Sequence, residues 1–353
     1  MSETMKEVVR KIKILQTRLE IAKFGNRKPL GRFDSCICMT AVHSVLSKTK
    51  PIGLSPTEHP DMEKLKAHVQ HKTGAMDKDG ILKYLARVRN YGCGRKYFDF
   101  WSYWNERPNF KVEDLKEENR KRFEELRDFS EQFEEIVGIK GYIAWDVAES
   151  IQIVREAYLC GYLDESTCIE IIADFGRMAM HTYEDWTDFA ISYLCGGCYF
   201  IYENNGKEDE VESMCDTICN ALEELFFSEN NSIWAKFEWF KEKNYFNGFR
   251  ASEKLVEKKI GCYVTDRISM DKCQIKYMER QLPNPQYPDS GWKFLAGDET
   301  MEYMSNPENI GIFPLNLIAN WDKDILPFLD APIGSVYVRN EEGQFELRKK
   351  EEE

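Results

Sequence analysis

No uninterrupted apolar run in the 353 residues approaches the roughly 20 that a membrane helix requires, which excludes a spanning segment of that kind. The opening Met1-Ser2-Glu3-Thr4-Met5-Lys6 lacks the apolar stretch and small-residue cleavage site of a secretory signal, so a cytoplasmic location is expected. Basic charge is in deficit: 48 Lys and Arg against 61 Asp and Glu leave a formal net charge of -13, and the average surface repels nucleic acid and anionic lipid. Gly-x-Ser-x-Gly, His-Glu-x-x-His, a Gly-rich phosphate loop and a Rossmann fingerprint are all missing. No catalytic residue and no cofactor is therefore assigned, and the expectation is a protein that is not an enzyme.

What is present is core-forming material. Apolar residues make up 42% and aromatics 13%, too much for a disordered chain, and at about 150 residues per domain the length suggests two or three domains. Eleven cysteines are an odd number, and in a reducing compartment they act as small buried apolar groups rather than as a disulfide framework.

Residues 5–24 carry apolar side chains at a 3.6-residue period with Gly25 beyond, which predicts an amphipathic helix capped at Gly25. Residues 26–60 read as loop and short helices. One long surface helix is expected over 112–137, and further helices over 143–160, from Asp164 to about 180, and from a capping box formed by Thr182 and Asp185. Helical patterning resumes over 209–227 and 233–246. After about 259 the pattern shortens to strand-like runs at 260–265, 274–279, 292–296, 310–317 and 335–339. Pro283-Asn284-Pro285 and Asp289-Ser290-Gly291 are turn signals, and 298–304 a short helix. The expected fold class is a large, mostly helical domain followed by a small α+β domain with an antiparallel sheet. Its boundaries are 1–60 for an N-terminal helix and extension packing on the helical domain, 61–256 for that domain, 257–345 for the α+β domain and 346–353 for a charged, frayed tail.

Cys195-Gly196-Gly197-Cys198, with Cys215 and Cys219 downstream, has the spacing of a zinc pair. It falls on the apolar side of a helix, so thiols and glycines that let helices approach closely are the favoured reading and no metal is assigned. His68 and His71 can share a helix face, while His43, His59 and His181 have no compelling neighbours. Asp266, Asp289, Asp298, Glu299 and Glu302 gather in the last domain. Capping ranks first for them, an acidic rim meeting a basic protein second, and metal or acid/base chemistry third. Trp145 and Trp186 are expected in the core. Trp292 sits beside acids, as a contact anchor would, with core packing at least as well supported.

Two family resemblances follow from specific runs. Gly141-Tyr142-Ile143-Ala144-Trp145-Asp146, then Arg155, Gly161-Tyr162, and Trp186 through Tyr193 and Gly196 resemble the bacterial domain of unknown function 1266. That resemblance implies a helical domain whose motif residues are Trp145, Asp146, Arg155, Gly161, Trp186 and Tyr193, and it places Glu149 where the family usually has Arg and Asp185 where it usually has Ser. Val264-Thr265-Asp266, Ile275-Lys276-Tyr277-Met278 and Asp289-Ser290-Gly291-Trp292-Lys293-Phe294 with Gly297-Asp298-Glu299 resemble domain of unknown function 2185, also called immunity family 33 of polymorphic toxin systems. This second resemblance implies an α+β module that neutralises a toxin by binding it.

The leading expectation is thus a cytoplasmic immunity-type protein with a protein partner, a basic toxin, met by Asp289, Trp292, Asp298, Glu299 and Tyr303. Nucleic acid and membrane are not expected partners. Two alternatives stand beside it: a metal-dependent or acid/base hydrolase using the C-terminal carboxylates, and a helical docking or dimerisation protein whose C-terminal domain is accessory.

Overall fold

The structure, a computed structural model, describes residues 2–348 except 26, 59, 107, 109, 230, 231, 242, 244, 286 and 287. The chain divides into two compact units, Met1–Glu242 and Lys243–Glu353, each with its own hydrophobic core.

The first unit is helical: α1 (Glu3–Ile21), α2 (Arg32–Cys38), α3 (Ala41–Ser47), α4 (Met62–Thr73), α5 (Lys78–Tyr91), α6 (Cys93–Trp104), α7 (Glu117–Glu131), α8 (Glu134–Val137), α9 (Ile143–Leu159), α10 (Glu165–Thr182), α11 (Trp186–Glu203), α12 (Glu208–Phe227) and α13 (Ile233–Lys236). Its axis is α9, buried continuously from Ala144 to Ala157 and surrounded by α4, α5, α6, α10 and α11. A helix enclosed on all sides buries its polar residues too, and each of those then needs an internal partner.

Several boundaries differ from the sequence reading, for identifiable reasons. Helix α1 stops at Ile21 rather than at Gly25, because Phe24 packs on Phe226 and Phe227 and Lys28 N–H bonds to Lys236 O, drawing the chain out toward the end of α12. The long helix expected over 112–137 is a 3-10 turn at Val112–Asp114, then α7, then α8. The break at Gln132 turns Phe133 fully into the core. Asp185 alone caps α11, accepting from Asp188 N–H, while Thr182 is the last residue of α10. Only four residues of 233–246 form α13, since Lys28 and Phe237 pair as extended backbone and Trp234 and Trp239 turn inward onto Trp186.

The second unit is a six-stranded sheet in the order β4-β1-β3-β2-β5-β6, with β1 (Gly261–Thr265), β2 (Tyr277–Arg280), β3 (Asp289–Leu295), β4 (Ile310–Pro314), β5 (Val336–Arg339) and β6 (Phe345–Leu347). It is mostly antiparallel, as expected, with β1 and β3 as its one parallel pair among the described residues. Short helices α14 (Asp266–Ser269), α15 (Met301–Ser305) and α16 (Leu315–Trp321) complete it. Asp289-Ser290-Gly291, read from sequence as a turn, instead opens β3. The signal survives as a local kink, with Gly291 at φ +76 and the Asp289 carboxylate accepting from its amide. Expected strand 310–317 ends at Pro314, which heads α16. Strand β6 was not anticipated, and Arg348 N–H bonds to Val336 O, so the described part of the tail is paired; 349–353 lie outside the described residues.

Candidate partner face and buried motif network

Side chains alternate across the sheet of the second unit and give its two sides opposite characters. Cys262, Val264, Met278, Trp292 and Phe294 point inward and meet Leu315, Ile318 and Ala319 of α16. The opposite side follows from the register: Ile312 pairs with Tyr263, Tyr263 with Lys293, Lys293 with Glu279 and Glu279 with Val336, one row running across five strands. A groove of about 680 Å³ opens on this side, its walls including Tyr263, Leu282, Lys293, Met304 and Ile312. Leu282 is 80% exposed and Ile312 54% exposed.

The five residues assigned to partner contact lie in unlike environments. Trp292 is fully buried, stacked near Phe294, with its indole N–H donated to Leu329 O. It belongs to the core and is corrected from contact anchor to packing residue, because position 292 falls on the inward phase of β3. Asp289 is half-buried and accepts from the amides of Asn284 and Gly291, fixing the entry to β3 while also lining the groove. Asp298 is exposed and bound bidentately by Arg267, whose hydrogen bonds hold its carboxyl below the usual range. Glu299 accepts from the Thr265 hydroxyl and from the amides of Ala296 and Gly297. Tyr303 is half-buried on α15. Asp289 begins β3 and Asp298 follows its end, so an extended strand holds them roughly 20 Å apart. They do not converge, which removes the geometry a shared metal or an acid/base pair requires. Asp266 is likewise engaged, by Lys243 and Ser269.

In the helical unit α9 projects Asp146, Glu149 and Arg155 into buried polar contacts. Asp146 accepts the amides of Cys93 at 3.0 Å and Gly94 at 2.8 Å, so a side chain of α9 closes the N-terminus of α6. Burial pushes its carboxyl up to about 7 against the pull of those two bonds. One turn on, the Glu149 carboxylate meets Lys72 at 2.5 Å, His43 Nε2 at 2.6 Å and the Tyr193 hydroxyl at 3.2 Å. Burial opposes its charge, yet the adjacent His43 and Lys72 hold the carboxyl far below its ordinary value. Arg155, fully buried, donates to Thr40 Oγ1, Gln152 Oε1 and the carbonyls of Lys50 and Gly53, stitching α9 to the 48–53 loop; burial lowers its pKa to about 10.

Trp145 lies against Tyr193 and Phe200, and Trp186 stacks on Trp234 with ring centroids 5.2 Å apart. A Cβ on Gly196 would fall 2.5 Å from Trp145 Cβ, and one on Gly197 2.5 Å from Ile218 Cδ1. The Cys-Gly-Gly-Cys run thus lets α11 approach α9 on one side and α12 on the other. Gly161 has φ +74 just past α9, where Tyr162 N–H returns to Ala157 O.

Sequence reasoning missed the partners of Glu149. His43 had no evident neighbour and Lys72 went unmarked, because both come from helices 77 or more residues from α9's acid. The signal available was the acid itself, a Glu in an otherwise buried helical stretch. His68 stands 3.5 Å from Glu156, and His59 lies outside the described residues. Among the described residues no group of three or more His, Cys, Asp or Glu is placed to hold a metal ion, and no helix is long and apolar enough to cross a membrane.

Comparison with known families gives one match in each unit. Residues 262–349 match the model of the Immunity protein Imm33 domain, and residues 71–239 match that of a protein of unknown function, DUF1266. No curated protein and no solved structure matches the chain.

Proposed function

We propose that this protein is an immunity-type protein whose C-terminal unit neutralises a toxin by direct, non-catalytic binding through the outer side of its sheet. The observation that carries this reading is the groove on that side, bordered by exposed Leu282 and Ile312 on a module similar to an immunity domain. Apolar side chains left in water beside the cross-strand neighbours Lys293 and Glu279 suit a contact with a dry centre and a polar rim. Asp289, Asp298 and Tyr303 supply that rim, and Glu299 acts at one remove by holding the 296–299 turn in shape.

Charge contributes to encounter more than to grip. Lys243–Glu353 contains 15 Lys and Arg against 19 Asp and Glu, a deficit of four, so most of the net -13 belongs to the helical unit. A basic toxin is drawn by the whole chain's field, at a rate that falls with salt, while the groove sets the dissociation rate.

The test is co-expression of the full chain with the toxin encoded by the reading frame beside its gene. Wild type is expected to protect, and Leu282→Asp or Ile312→Asp, both at exposed positions, to lose protection with circular dichroism unchanged. Undiminished protection by both variants rejects this face. Failure of the wild type to protect, or to co-purify with that polypeptide, rejects the immunity reading itself.

A further inference from the structure

A second concavity lies in the helical unit, away from anything the immunity reading uses. It is a cavity of about 530 Å³ between α4, α5, α6, α9 and α11, within the size range of small-molecule sites. Three cations reach it, Lys72, Arg87 and Lys96, and three carboxylates line it, Asp146, Glu149 and Glu203.

Counting hydrogen bonds separates the two sets. The carboxylates are engaged from inside the protein at more than half of their acceptor sites: Asp146 by two backbone amides, Glu149 by Lys72, His43 and Tyr193, and Glu203 by Lys96 and the Tyr199 hydroxyl. The cations have capacity to spare. An ammonium carries three N–H donors and a guanidinium five. Lys72 gives one bond to Glu149, Lys96 one to Glu203, and Arg87 lies over the Tyr84 ring, 5.5 Å from its centroid. Spare donors therefore outnumber spare acceptors around the cavity, a balance that suits an anionic ligand in place of solvent. The remaining wall is flat and apolar, with the Trp145 and Phe200 rings 5.3 Å apart and Phe200 38% exposed.

We propose that this cavity binds a small organic anion, a carboxylate or phosphate monoester carried on a flat ring, with its charged end on Lys72, Lys96 and Arg87 and its ring against Trp145 and Phe200. Charge-assisted hydrogen bonds from two ammonium groups and a guanidinium fix the head, and ring contact fixes the orientation. The Asp146 and Glu149 pair, one turn apart on α9, then has a positional role: it holds the α6 N-terminus and Lys72 at the rim.

Calorimetric titration of the full chain with benzoate, phenyl phosphate, inorganic phosphate and the neutral analogue benzamide tests this. One or both of the ring anions should bind, and which of them binds identifies the head group. Benzamide and inorganic phosphate should each bind at least 10-fold more weakly. Lys96→Gln or Arg87→Gln should weaken the ring anion by about 10-fold or more, the loss of one charge-assisted hydrogen bond. Phe200→Ala should weaken the ring anions and leave inorganic phosphate unaffected, and Arg18→Gln on α1 should change nothing. Arg87 and Phe200 are exposed, so their variants retain the fold and keep the test open should Lys96→Gln not fold. No heat from either ring anion at millimolar concentration, equal binding of benzamide, or unchanged affinity in both cation variants overturns the proposal.

Discussion

Glu149 is the residue on which the electrostatics of the helical core turn. Its carboxyl is held well below the ordinary value of 4.5, so its contribution to stability is present above that value and is lost as pH falls below it. Asp146 carries the opposite sign: with its carboxyl raised to about 7, ionisation costs stability progressively as pH climbs from about 4 to 7. Glu149→Gln leaves Lys72 facing a neutral amide in a buried site and is expected to cost about 3–5 kcal/mol at neutral pH. Urea midpoints measured down to acid pH should show the gap from wild type narrowing below about 4.5, because the unfolded wild-type chain there binds a proton at Glu149 that the native state excludes. A gap that stays constant with pH would mean that Glu149 acts through shape alone. None of this was legible residue by residue. The Ala-Trp-Asp run marked the helix, but the value of an acid on it depends on His43 and Lys72, which only folding brings to within hydrogen-bonding distance.

At the scale of elements, ends rather than interiors separate expectation from structure. Two helix ends written into the sequence were readable: Asp164 opens α10 and Gly161 follows α9, while the start of α11 was read one turn early, at Thr182 instead of Asp185. Ends set by distant contacts were not, as at α1, where Phe24 leaves the helix for Phe226 and Phe227. Two glycines test the distinction. Gly161 has open space around it and positive φ, so Gly161→Ala should cost about 1 kcal/mol, purely from backbone conformation. Gly92 has an ordinary φ, but a Cβ there would strike the Asp146 carboxylate and the Val88 carbonyl. Gly92→Ala should therefore cost about 1–3 kcal/mol through steric displacement of the α6 cap. Chemical denaturation of the pair, alone and on an Asp146→Ala background, checks this: the Gly92 penalty should shrink there, and the Gly161 penalty should not.

For the whole molecule, two cores with no shared member predict two cooperative units. Trp186 is fully buried in one core and Trp292 in the other. In scanning calorimetry Trp186→Phe should lower one transition and Trp292→Phe the other; a single transition lowered equally by both would show that the units unfold as one. The cost of each should reach about 1–3 kcal/mol, since a smaller ring leaves a void and frees the carbonyl its indole N–H held.

The sequence by itself determined the division into a helical part and a strand-rich part, the two family resemblances, and the Asp164 start of α10. These rest on periodicity and local hydrogen bonding, whose information lies within a few residues. Tertiary structure decided that Trp292 faces inward, that Asp289 and Asp298 stand at opposite ends of a strand, that β1 and β3 run parallel, and that Glu149 is charged in the core. Each depends on the phase of a strand or on partners far away in the chain, and long-range packing sets those distances while composition and spacing leave them open.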